Sequence, residues 1–123
     1  MDVRDTDTVL FDKDLRVRLE ESLVEFGSCL VVSSPHLRSL PVRVKGWRYL
    51  PRTRRAYMSI VRVAWRFANP TGHLTPNDFA VHTCQNTGRD GRPICCRGTH
   101  LKKGTRDDIE IAAAARAKGF LDR

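Results

Sequence analysis

A small α+β domain is the fold class that the sequence predicts, and three observations lead there. Three stretches place apolar residues at helical spacing. Three short runs read as strands, and one polar, glycine-bearing run late in the chain concentrates cysteine and histidine. With 123 residues, 41% hydrophobic and 29% charged, the chain suits one domain, and burial alone leaves such a domain marginally stable. A metal or disulfide staple fits that size.

The elements follow in order. Residues 12–26, "DKDLRVRLEESLVEF", set Leu15, Leu19, Leu23 and Phe26 on one helical face, with Asp12 as N-cap and Gly27 as stop. "SCLVVSS" (28–34) and "PVRVKGWRYL" (41–50) read as short strands, followed by a basic turn, "PRTRR". Residues 57–69, "YMSIVRVAWRFAN", predict a helix with Met58, Val61, Trp65 and Ala68 on one face, ended by Pro70 and Gly72. "FAVHTC" (79–84) is a strand entering the cysteine-rich run. "TRDDIEIAAAARAKG" (105–119) is a helix with Thr105 as N-cap, acids in its first turn and Gly119 as stop.

Charge is distributed unevenly around a net +8. Residues 1–25 carry eight acids and four bases, whereas residues 26–77 carry nine Lys or Arg and no Asp or Glu. An acid-free basic stretch of this kind points to phosphate, because each neutralised phosphate releases counterions and drives binding. Arg43, Lys45, Arg48, Arg52, Arg54 and Arg55 lie on or beside strands that can enter a major groove, and Arg62 and Arg66 share a face of the next helix. No apolar run reaches the roughly 18 residues of a membrane span. The acidic "MDVRDTDTVL" lacks the order of a signal peptide. The expectation is a soluble intracellular protein with reduced thiols, in which Cys/His clusters bind metal.

The cluster is "VHTCQNTGRDGRPICCRGTHL". Cys84, Cys95, Cys96 and His100 supply ligands suited to tetrahedral zinc, and Cys29 can arrive from the upstream strand. Adjacent Cys95 and Cys96 point in different directions, so one of the two binds. His82 stands two residues before Cys84, on the same face of an extended strand, beside the ligands without joining them. A neutral imidazole there can take a proton from water if a backbone carbonyl orients its other nitrogen.

"GWRYL", "VRVAW", "VHTC", "CCRGTHL" and "KGTRDD" occur in that order. The set resembles the HNH endonucleases of phages, and is especially similar to the zinc-bearing His-Cys box homing endonucleases, over roughly residues 29 to 119. The resemblance implies a zinc-stapled ββα-metal (His-Me finger) domain over 28–123, preceded by an acidic helical segment over 1–27. It implies His82 as general base, and Cys29, Cys84, Cys95 and His100 as ligands of a structural Zn2+. It further implies a catalytic Mg2+ held at the start of the last helix, double-stranded DNA as substrate, and a cytoplasmic setting, in a phage-infected host cell or on the nucleoid.

Two departures bear on the site. Arg97 and Gly98 stand where the family has Asn-Pro before the histidine. The ninth residue after His100, where the family has its metal-binding Asn, is Ile109, which cannot hold a metal; with the loop one residue shorter than the family's, the resemblance puts Asp108 in that magnesium-binding place. Asp107 and Asp108 fit helix capping equally well. The alternative reading is therefore a catalytically degenerate, zinc-stapled nucleic-acid-binding protein on the same fold, part of a larger nucleic-acid machine. The acidic N-terminal helix would then dock a protein or RNA partner, or cover the core.

Overall fold

The computed structural model describes residues 4–34, 36–45, 56–89 and 91–117. Their elements run as a 3-10 turn (Thr6–Thr8), β1 (Val9–Leu10), α1 (Lys13–Glu21), β2 (Leu23–Phe26), β3 (Cys29–Val32) and β4 (Ser39–Val44). There follow β5 (Ala56–Ser59), α2 (Ile60–Ala68), β6 (Phe79–His82), a 3-10 turn (Gly98–His100), β7 (Leu101–Gly104) and α3 (Arg106–Ala117). The class is α+β, as the sequence predicts, and the strands pair antiparallel.

Asp12 caps α1 as expected, its carboxylate accepting the Leu15 N–H at 3.0 Å. The helix does not continue to residue 26. It ends at Glu21, where the Ser22 hydroxyl donates to the Arg18 carbonyl at 2.7 Å. Leu23–Phe26 is instead a strand, paired with β3 in the register Leu23↔Val32 to Phe26↔Cys29. Val24 and Phe26 have β-branched and aromatic side chains that suit a pleated strand. Gly27, at φ 60°, supplies the positive φ of the two-residue turn. The expected boundary between residues 27 and 28 thus falls inside a hairpin turn, and that turn delivers Cys29 to the start of β3.

β4 lies between β1 and β5 in a three-stranded sheet. Residues 46–55, which include "GWRYL" and the candidate DNA contacts Arg48, Arg52, Arg54 and Arg55, lie outside the described residues. The helix expected from residue 57 begins at Ile60, because Tyr57 to Ser59 belong to β5 and pair with Ser39 to Pro41. The later start rotates the buried face. Ile60, Val63, Ala64 and Trp65 are buried, whereas Val61 is half-buried and Ala68 exposed. Asn69 closes the helix by donating from Nδ2 to the Trp65 carbonyl at 2.8 Å.

The main core joins the N-terminal segment to the rest: Val9, Leu15 and Leu19 pack in one cluster with Val42, Met58, Val63 and Trp65. β6 and β7 form an antiparallel pair, Phe79↔Gly104 through His82↔Leu101, and α3 lies against both strands. Thr105 caps α3 reciprocally. Its hydroxyl accepts the Asp108 N–H at 3.4 Å, and its own N–H donates to Asp108 Oδ2 at 2.7 Å. Among the described residues, no helix is long and apolar enough to cross a membrane. The expected stop at Gly119 lies outside them.

Candidate metal centre and its neighbours

Four side chains from distant parts of the chain meet at one point. Cys29 starts β3, Cys84 follows β6, Cys95 sits in the loop between β6 and β7, and His100 ends the 3-10 turn before β7. Backbone pairing holds the loop in place: Cys95 bridges Val31, the Cys96 N–H donates to the Leu30 carbonyl at 2.6 Å, and the Ile94 carbonyl accepts from Val32 at 3.0 Å. The Thr83 N–H donates to the His100 carbonyl at 2.8 Å, which ties the far ends of the loop together. Gly98 lets the His100 turn lie on α2, since a Cβ there would stand 2.4 Å from Ala68 Cβ.

The three sulfurs and His100 Nδ1 all lie within 4.8 Å of one another. Cys29 Sγ is 3.3 Å and Cys95 Sγ 3.5 Å from His100 Nδ1. In a tetrahedral site with ordinary zinc–sulfur and zinc–nitrogen bonds, a sulfur–nitrogen edge is about 3.5 Å. The geometry and the donor set both fit Zn2+. The second apolar cluster of the protein consists of Cys29, Val31, Cys84 and Cys95, so its interior is mostly thiol rather than hydrocarbon. Such a cluster gains little from apolar burial and much from a metal.

Electrostatics inside the group are asymmetric. The Cys95 thiol hydrogen-bonds to Cys84 and holds it down to about 5, helped by the Asn86 N–H, by Cys29 and by the charge of His82, against the opposing effect of burial. The same bond, with burial, pushes Cys95 up. Cys96, by contrast, lies in the main apolar core, and burial pushes its thiol up to about 12. The structure therefore groups Cys95, not Cys96, with Cys29, Cys84 and His100.

His82 stands beside the cluster, opposite Leu101 in the β6–β7 register. Its Nε2 lies 2.9 Å from the Cys95 carbonyl oxygen. A carbonyl only accepts, so Nε2 carries a proton, and whenever the ring is neutral its basic lone pair is on Nδ1. Asp108 lies at the first turn of α3, where Oδ2 accepts from the Thr105 N–H at 2.7 Å and from its hydroxyl at 3.2 Å. Those bonds, the backbone one foremost, and the charge of Lys102 hold its carboxyl below the usual range.

The basic residues divide. Arg43 is exposed and pairs with Asp12 at 3.5 Å and Asp14 at 3.3 Å, while Lys45 is exposed at the end of β4. Arg66 is half-buried, with its guanidinium 5.1 Å from the centroid of the Phe11 ring. Arg62 is a correction to the sequence reading. It is 9% exposed, and its guanidinium donates to the carbonyls of Asp78 at 2.6 Å, Thr75 at 2.8 Å and Arg4. It ties the N-terminal segment to the loop before β6 and presents no face to a phosphate.

Two further features escaped the sequence reading. Asn86 donates from Nδ2 to Cys29 Sγ at 3.2 Å, while its backbone N–H serves Cys84, so one residue orients two sulfurs. Its only trace in the sequence is an amide residue two places after a ligand cysteine. His73 is held between Asp5 Oδ1 at 2.6 Å and Asp7 Oδ2 at 3.4 Å. Each ring nitrogen faces its own carboxylate, which clamps the N-terminal turn to the loop after α2.

No protein-family model, curated protein or solved structure matches the chain.

Proposed function

We propose that the protein is a metal-dependent endonuclease of the HNH type, hydrolysing phosphodiester bonds in double-stranded DNA on a zinc-stapled ββα-metal domain. One observation carries this reading: His82 on β6 donates Nε2–H to the carbonyl of the ligand residue Cys95. A histidine so placed has its orientation and tautomer set by the backbone of the metal loop, which is what a general base requires. The strand, strand, helix order of β6, β7 and α3 and the net charge of +8 support the same reading.

In this reading the Cys29, Cys84, Cys95 and His100 ligands hold Zn2+ as a structural ion, with all four positions filled by protein. His82 Nδ1 accepts the proton of a water whose oxygen attacks phosphorus, and the 3′ oxygen leaves. Asp108 presents an ionised carboxylate, a hard oxygen donor of the sort that holds Mg2+ together with substrate phosphate. A Mg2+ there supplies charge stabilisation at the scissile phosphate and the leaving oxygen. The other reading, a zinc-stapled nucleic-acid binder without catalysis, draws support from Asp108 Oδ2, which already serves the Thr105 N–H and hydroxyl.

Incubating the zinc-loaded protein with supercoiled plasmid and varied linear duplexes, with Mg2+, with Mn2+ and with EDTA, separates the two. Metal-dependent nicking or linearisation supports the nuclease. Tight binding with intact DNA in every metal condition leaves the binder.

A further inference from the structure

We propose a second ligand site: a cleft between the first turn of α1 and the last turn of α2 that binds a phosphate group, borne by a nucleotide or a polynucleotide backbone. It stands apart from the nuclease reading, since neither His82 nor the cysteine cluster takes part.

The cleft has a volume of about 440 Å³ and is lined by Phe11, Asp12, Lys13, Arg16, Arg66 and Phe67, among others. That volume falls in the range of roughly 300–1,000 Å³ typical of small-ligand sites. Phe11 and Phe67 meet edge to face, their centroids 5.4 Å apart. Each ring carries a guanidinium: Arg66 at 5.1 Å from the centroid of Phe11, and Arg16 at 5.0 Å from that of Phe67. A guanidinium stacked on an aromatic face is held in orientation, while its in-plane N–H groups stay suited to a phosphate.

The charge balance of the cleft is one-sided. Among the described residues, the ion pairs involve neither Lys13, Arg16 nor Arg66. The Arg66 Nε is buried and has no hydrogen-bond partner. Asp12 is engaged elsewhere, by the Leu15 N–H and by Arg43 at 3.5 Å. Arg43 also draws Asp14, so the first turn of α1 commits its acids to β4 and leaves its bases at the cleft. Lys13 and Arg16 therefore stand where the helix dipole disfavours cations. A bound anion relieves the three cations and the dipole together, and phosphate matches the stacked guanidinium edges.

The test titrates isotope-labelled, zinc-loaded protein with inorganic phosphate, with a mononucleotide and with a short thymidine oligonucleotide, following the Arg16 and Arg66 Nε–H resonances. The proposal expects both to move with at least one phosphate-bearing ligand and not with chloride at equal ionic strength. A stronger response to the oligonucleotide assigns the site to a polynucleotide backbone, and an equal or stronger one to the mononucleotide assigns it to a free nucleotide. Lys13→Gln combined with Arg16→Gln should keep the wild-type melting temperature and weaken binding about ten- to a hundredfold. Nε–H resonances of wild-type protein that stay fixed with all three ligands overturn the proposal, whatever the variant does.

Discussion

Cys95 and Cys96 are neighbours in sequence and differ in what they hold, which makes their replacement by serine a sharp test of the metal centre. Cys95→Ser removes one of four side chains that could hold a metal, whose sulfurs and nitrogen lie within 4.8 Å of one another. A structural zinc of this type contributes on the order of 10 kcal/mol to folding, and serine is a poor replacement for thiolate. Cys96→Ser touches no ligand, but it puts a hydroxyl in a site only 4% exposed, within the main apolar core. Burying that hydroxyl without a good partner costs about 1–3 kcal/mol. For a chain of this size, that corresponds to a fall in Tm of roughly 4–12 °C. Metal analysis of the purified proteins and thermal melts with and without chelator read both effects. Wild type and Cys96→Ser should carry one zinc per chain, Cys95→Ser none, and chelation should bring wild type down to the level of Cys95→Ser. Zinc retained by Cys95→Ser, or lost by Cys96→Ser, would refute the assignment.

Other consequences follow from the same contacts. Asn86→Ala should lower zinc affinity about 10-fold in a competition assay with a colorimetric chelator, because the Cys29 sulfur loses its Nδ2–H donor while the backbone N–H to Cys84 remains. Arg62→Met keeps the buried stem but strands the carbonyls of Arg4, Thr75 and Asp78, and should cost about 3 kcal/mol or more by denaturant unfolding. Asp78 and Asp108 are each held below their ordinary value of 3.8 chiefly by the backbone N–H of the threonine three residues earlier, Thr75 and Thr105. A lowered folded pKa means that the stability they supply is present above 3.8 and is lost as pH falls through the folded value. Carboxyl NMR titration should therefore place both midpoints below 3.8.

The features legible in the sequence were those marked by chemistry, and the features missed were those decided by pairing. The candidate ligands are legible because thiols and imidazoles suit zinc, and Cys29 is a candidate as the one remaining cysteine, on a strand that can reach the cluster. The choice between Cys95 and Cys96 was not readable: it depends on a bridge between Val31 and Cys95 that turns one side chain to the cluster and the next into the core. Leu15, Leu19, Leu23 and Phe26 fit a helical period, which concealed that Leu23–Phe26 pairs with Cys29–Val32. Gly27 after an apolar helical period suggests a helix stop, whereas its positive φ serves a hairpin. Met58 was assigned to the buried face of a helix and is buried on a strand, opposite Leu40. Arg62 was read as a phosphate contact, because carbonyl partners in three separate segments leave no trace in a linear sequence.

The proposed function rests on His82 acting as a general base beside a structural zinc. Its most direct test is the initial rate of duplex DNA cleavage with Mg2+ by wild type and by His82→Ala, compared at equal zinc content and equal DNA affinity. Wild type should cleave in a manner that EDTA abolishes, and the variant should lose about 10²–10⁴-fold in rate. Intact DNA with zinc-loaded wild type, or a variant that cleaves at the wild-type rate, would contradict it.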